Sequence, residues 1–125
     1  MTKEKATELY HGGGVPVVSD LDGDWQVGMW RWWRFMRHDI KVIRDGAGYN
    51  LYRVLGCIPV KWGKFTVVQQ SDCLELIYKN GTVIDRLRTH ASRDGFMLGL
   101  FNTVIDGKPV VSKEPFTLTL LNEKV

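Results

Sequence analysis

The chain has 125 residues, of which 44% are hydrophobic and 25% charged, with a formal net charge of +3 at pH 7. That length closes one hydrophobic core, and the composition is that of a folded globular domain. The basic excess falls short of the stripe that a dedicated nucleic-acid binder carries, so nucleic acid is the weakest of the candidate partners.

No run of about 18 apolar residues is present, so no transmembrane segment is expected. The opening "MTKEKATELYHGGG" has no apolar signal core, which argues for the cytoplasm. Cys57 and Cys73 do not make a disulfide framework, and their spacings to His11, His38 and His90 fit no zinc pattern. No phosphate-binding signature follows any glycine run, so neither a metal nor a cofactor is expected.

Residues 1–19 read as a flexible N-terminal arm with a helical turn or two, and residues 20–125 as a single β-barrel domain. "HGGG", His11 to Gly14, is similar to an esterase oxyanion loop but has no Gly-x-Ser-x-Gly elbow to serve, so it is read as part of the arm. Next comes "DWQVGMWRWWRFMRH", which holds four of the five tryptophans, Trp25, Trp30, Trp32 and Trp33. Trp25, Met29, Trp32, Trp33 and Met36 also fit a helical spacing. Gly28 and the clustered aromatics favour a strand, with a bulge where the arginines change parity between Arg31 and Arg34.

"IKVIRDGAGYNLYRV" reads as a hairpin with the loop Asp45-Gly46-Ala47-Gly48. In that reading Arg53 shares the face of Ile40, Val42, Tyr49 and Leu51. "KFTVVQQ" is a further strand. "CLELIYKNGTVIDRLRTH" is a hairpin around Asn80-Gly81, whose two-residue loop fixes its register. Lys79 faces Thr82, Tyr78 faces Val83, Ile77 faces Ile84, Leu76 faces Asp85, Glu75 faces Arg86 and Leu74 faces Leu87. "SRDG" and "DGK" turn the chain through "FMLGLFNTVI" into the closing "PFTLTLL". The fold class is therefore all-β, a small antiparallel barrel of about eight strands.

The Asn-Gly hairpin has one clearly interior face: Leu74, Leu76, Tyr78, Val83, Asp85 and Leu87. On the other face Glu75 opposes Arg86 as a cross-strand ion pair. Asp85 is thus a carboxylate on an apolar face, and such a group must be paired, hydrogen-bonded or protonated. Arg31 and Arg53 are its candidate partners. Two readings stay open: a structural ion pair, or a polar anchor or proton donor inside an apolar pocket.

At "LDGDW" the chain resembles the start of the lipocalins and wider calycins, where a Gly-x-Trp motif opens the first strand. Here it is Gly23-Asp24-Trp25. A weaker likeness to small bacterial calycin-like domains runs through "LIYKNGTVIDRLR" and "FMLGLF". The resemblance implies a cup-shaped barrel holding one apolar ligand, with Trp25 closing its base. It departs in lacking a helix before the last strand and a disulfide.

The first functional expectation is a binder of one apolar, aromatic or terpenoid-like small molecule. Trp25, Trp33, Phe35, Tyr49, Phe65, Leu74, Leu76 and Leu87 would line its pocket. Asp85 with Arg31 or Arg53, joined by Tyr78, would orient the polar end of the ligand. The enzyme version is a cyclase, isomerase or hydrolase with Asp85 as general acid or base and an arginine stabilising developing charge. Two alternatives use the outer tryptophans, Trp30 and Trp32: a filled barrel that pairs with a second copy of the chain, or a single-strand nucleic-acid platform.

Overall fold

The computed structural model describes residues 2–29, 40–54, 58–79, 81–90 and 95–121. Eight antiparallel strands form a closed barrel in sequence order. They are β1 (Gly23–Met29), β2 (Ile40–Arg44), β3 (Ala47–Val54), β4 (Ile58–Gln69), β5 (Leu74–Tyr78), β6 (Val83–Thr89), β7 (Phe96–Ile105) and β8 (Lys108–Leu120). Every neighbour in sequence is a neighbour in space, and β8 returns to pair with β1, Trp25 opposite Leu120 and Met29 opposite Phe116. A chain of tight hairpins can reach no simpler closed arrangement that leaves no sheet edge along the wall.

The Asn-Gly hairpin keeps its expected register through Leu74–Leu87, Glu75–Arg86, Leu76–Asp85 and Ile77–Ile84. The expected ion pair is formed too, Arg86 Nε lying 3.0 Å from Glu75 Oε2. The first hairpin corrects the sequence reading in two ways. Its loop is only Asp45-Gly46, since Arg44 pairs with Ala47 and Ile43 with Gly48. Both loop residues take positive φ, 52° and 77°, as a type I′ turn requires, and Asp106-Gly107 repeats the device at 53° and 76°. The second correction concerns which face is inside. Lys41, Ile43 and Asn50 are the buried residues, whereas Ile40, Val42, Tyr49 and Leu51 are only partly covered.

The base of the barrel is closed by side chains. A 3-10 turn, η1 (Val18–Leu21), runs beneath it, and Trp25 donates its indole N–H to the Leu21 carbonyl at 2.8 Å. Leu21, Trp25, Val27, Ile43, Val67, Leu74, Leu76, Leu87, Met97 and Leu118 form one buried cluster that continues upward to Phe65, Tyr78 and Phe116. Each large apolar side chain fully buried here contributes roughly 1.5–3 kcal/mol.

Within the segment read as an arm, Lys3–His11 forms a helix, α1, capped by the Thr2 side chain. Its Ala6 and Tyr10 pack on the outer wall against Phe96, Leu98 and Leu100 of β7. Arg88 fastens the far end of α1. Its guanidinium lies 4.8 Å from the Tyr10 ring centroid and donates to the Tyr10 and His11 carbonyls at 3.2 and 3.1 Å. Those carbonyls belong to the last helical turn; that of Tyr10 also accepts the Gly13 backbone N–H at 3.0 Å, and the guanidinium adds a charged donor to both.

Candidate functional site

One end of the barrel, its mouth, is marked by the ends of β1, β3, β5 and β7 and the starts of β2, β4, β6 and β8. Just inside it, four polar side chains from four strands meet: Lys41 of β2, Asn50 of β3, Tyr78 of β5 and Asp85 of β6. Lys41 and Asp85 are 5% and 3% exposed, so this is an ion pair taken out of water. Lys41 Nζ lies 3.2 Å from Asp85 Oδ2 and donates to Asn50 Oδ1 at 2.8 Å and to the Tyr78 hydroxyl at 2.6 Å. The Tyr78 oxygen also accepts from Asn50 Nδ2 at 3.0 Å, and its own proton goes to Asp85 Oδ2 at 3.1 Å.

The directions of these bonds are forced. An ammonium only donates, so the Asn50 carbonyl oxygen must face it and the amide nitrogen must face Tyr78. With two donors aimed at its oxygen, Tyr78 can only donate to the carboxylate. Lys41 therefore gives two protons to hydrogen bonds and its charge to Asp85, and Tyr78 uses its proton and both lone pairs. Asp85 Oδ1 stands apart as a buried oxygen with no hydrogen-bond partner among the described residues.

The surroundings are aromatic. Lys41 Nζ sits 5.5 Å from the Phe65 ring centroid, 5.3 Å from that of Tyr78 and 5.9 Å from that of Phe116. Ring faces at this range attract a cation and partly replace its lost hydration. Burial works against the Lys41 charge, but Asp85 and then Tyr78 outweigh it, holding its pKa above the ordinary 10.5. Burial pushes the Tyr78 hydroxyl up as well, against the pull of Lys41.

Strand irregularity leaves space on the outside of the cluster, beside Tyr78. On β4 the register with β3 shifts between the Gly48–Phe65 and Asn50–Trp62 pairs, so Gly63 and Lys64 face Tyr49 alone. Gly63 takes φ +65°, and a Cβ there would press on Asn50 and the Tyr78 ring. The space left beside Tyr78 is a cavity of about 340 Å³, lined by Gly63, Lys64, Tyr78 and Lys79 and open to solvent.

Of the residues singled out in the sequence, Tyr78 touches both Asp85, at 3.1 Å, and Phe65, with ring centroids 5.4 Å apart. Leu74, Leu76, Leu87 and Trp25 lie below them in the same buried cluster. Tyr49 is not among the lining residues: it alternates with the buried Asn50 and carries Lys61 Nζ 4.9 Å from its ring centroid on the outer wall. Arg31, Trp33 and Phe35, like Trp30, Trp32, His38 and Cys57, lie outside the described residues, as does the Arg53 side chain. The cation that meets Asp85 among the described residues is Lys41. Sequence reasoning missed it and Asn50 because Ile40, Val42, Tyr49 and Leu51 made the opposite face look apolar. The available signal was Asp45-Gly46, since a two-residue turn there sets Lys41 opposite Asn50, whereas the four-residue loop sets it opposite Tyr52.

No helix among the described residues is long and apolar enough to cross a membrane. No protein-family model, curated protein or solved structure matches the chain.

Proposed function

We propose that the barrel binds one small, largely apolar molecule at its mouth, and that a hydroxyl or amine of that molecule donates to Asp85 Oδ1. The observation that carries this reading is Asp85 Oδ1, a buried oxygen with no hydrogen-bond partner among the described residues in a cluster whose other members are bonded to one another. A buried acceptor left without a donor costs about 1–3 kcal/mol, and a ligand donor would recover it. The open space beside Tyr78, whose ring lies 5.4 Å from that of Phe65, suits the apolar body of such a molecule. Because Lys41 matches the charge of Asp85, the ligand needs a donor but no charge of its own.

The test compares a naphthol with its methyl ether as competitors of an apolar fluorescent probe, read by energy transfer from tryptophan. Saturable binding is expected, with the naphthol about tenfold tighter or more, as a hydrogen bond to a charged acceptor implies. In the paired variant Lys41→Met with Asp85→Leu, which removes the anchor without stranding a charge, the two competitors should bind alike. Absence of any saturable uptake would sink the proposal, and so would equal affinities in the unaltered protein.

A further inference from the structure

Above the polar cluster, two hairpins rise past the β5–β6 turn. On β4, pairing with β5 begins only at Phe65–Tyr78, so Ile58 to Lys64 extend beyond it. On β7, pairing with β6 ends at Thr103–Val83, and Val104 and Ile105 continue into the β7–β8 turn. Cross-strand partners share a face. Trp62 is opposite Asn50, so Ile58, Val60 and Trp62 alternate along the face that lines the barrel lower down. Thr103, opposite Val83 and Val110, places Ile105 and Val110 on the inner face of the second hairpin. All five are large, apolar and well exposed, at 51%, 42%, 49%, 55% and 46%.

Charge is divided between the two ends of the barrel. Exposed Lys61, Lys64, Lys79 and Lys108 stand at the mouth, against Asp106. Around the base lie Asp20, Asp22, Asp24, Asp45 and Asp72, of which Asp24 and Asp72 are bridged by Arg44 and Arg88. The base also exposes apolar residues, Val15, Val17, Leu120 and Leu121, but it does so among carboxylates. Among the described residues, it is the mouth that joins exposed apolar side chains to positive charge not matched by carboxylates.

We infer that the mouth docks on an anionic lipid surface, Ile58, Val60, Trp62, Ile105 and Val110 entering the interface while the lysines meet the headgroups. Long lysine stems suit that depth, and tryptophan favours the boundary between headgroup and acyl chain. A second copy of the chain fits the same face badly, because a two-fold contact would bring the lysines against themselves. A β-strand partner is also disfavoured: Pro59, Lys61 and the bulge at Gly63 are the devices that keep a free edge unpaired. The inference stands apart from the interior reading, since a barrel with a filled interior would dock equally well.

The experiment is co-sedimentation of the full chain with vesicles of phosphatidylcholine alone and of phosphatidylcholine mixed with phosphatidylserine. Binding is expected to the mixed vesicles only, weakening with salt. Lys61→Gln and Lys64→Gln should each lower the partition about fivefold at low salt. Trp62→Ser should lower it too, whereas Val17→Ser at the base should leave it unchanged. These positions are exposed, so a fold intact by circular dichroism is expected of each variant. Failure to bind the mixed vesicles, equal binding to both kinds, or indifference to the Lys and Trp62 substitutions would each overturn the inference. So would binding of a single-stranded oligonucleotide that depends on the same residues while the vesicles remain unbound.

Discussion

Lys41 Nζ has three protein oxygens around it, Asn50 Oδ1, the Tyr78 hydroxyl and Asp85 Oδ2, and its side chain is almost wholly buried. An ion pair in such a setting is a poor source of net stability, because the attraction does little more than repay the lost hydration. Losing one member is a different matter, since the other is then a buried charge without a counterion. Lys41→Met should therefore cost about 3–5 kcal/mol in a denaturant melt, while Lys41→Met combined with Asp85→Leu should recover most of that loss. If the pair of substitutions is no better than the single one, the two residues are not coupled as the geometry requires. Asp85 is the half of the pair that the sequence pattern reveals. Its burial followed from the Asn-Gly register alone, but its partner did not. The interior of β2 and β3 holds a lysine and an asparagine beside Ile43 and Gly48, so counting apolar residues selects the wrong face. A polar cluster inside a barrel conceals its own members from that count.

Element boundaries follow turn chemistry, and here the sequence was most informative. Four of the connecting segments carry Asp-Gly or Asn-Gly in the sequence, and each joins strands that pair antiparallel. The first loop was read two residues too long because Ala47 and Gly48 resemble loop residues, although Asp45-Gly46 already supplies a complete turn. The β4 bulge had no such marker beyond an isolated glycine. Two glycine substitutions separate the forces at work. Gly107 takes φ +76° and a Cβ there would meet nothing within 4 Å. Gly107→Ala should thus cost only the left-handed backbone penalty, about 1–2 kcal/mol. Gly99 lies mid-strand with the Phe116 ring laid directly over it. Alanine normally gains stability over glycine in a strand, but at this position overlap with the ring should reverse the sign and cost about 1–3 kcal/mol. Adding Phe116→Leu to Gly99→Ala should restore part of the loss, measured by the same melts. No recovery would mean that the Phe116 ring is not what excludes a side chain there.

At the scale of the whole molecule, the two ends of the barrel and its outer wall share one response to alkali. Lys41 and Tyr78 at the mouth both have raised pKa values. On the outer wall, burial, with help from the Cys73 charge, pushes the Tyr10 hydroxyl to about 12. Burial, then Asp72 and Glu75, push the Cys73 thiol to about 11. In every case the folded chain holds its proton more tightly than the unfolded one. Between the ordinary and the raised value the native state thus binds more protons, so stability must fall as pH rises. The stabilisation is complete below the ordinary values, 9.0 for Cys73, 10.0 for the tyrosines and 10.5 for Lys41. It is lost as each raised value is passed. Denaturant melts at fixed ionic strength should accordingly show stability unaffected by these groups up to about pH 9, then a steady decline to about pH 12. Tyr10→Phe and the paired Lys41→Met, Asp85→Leu variant should each remove a separate part of that decline, because one acts where α1 meets the wall and the other inside the mouth. A profile that stays flat or rises across this interval would contradict the burial and the partners assigned to all four groups.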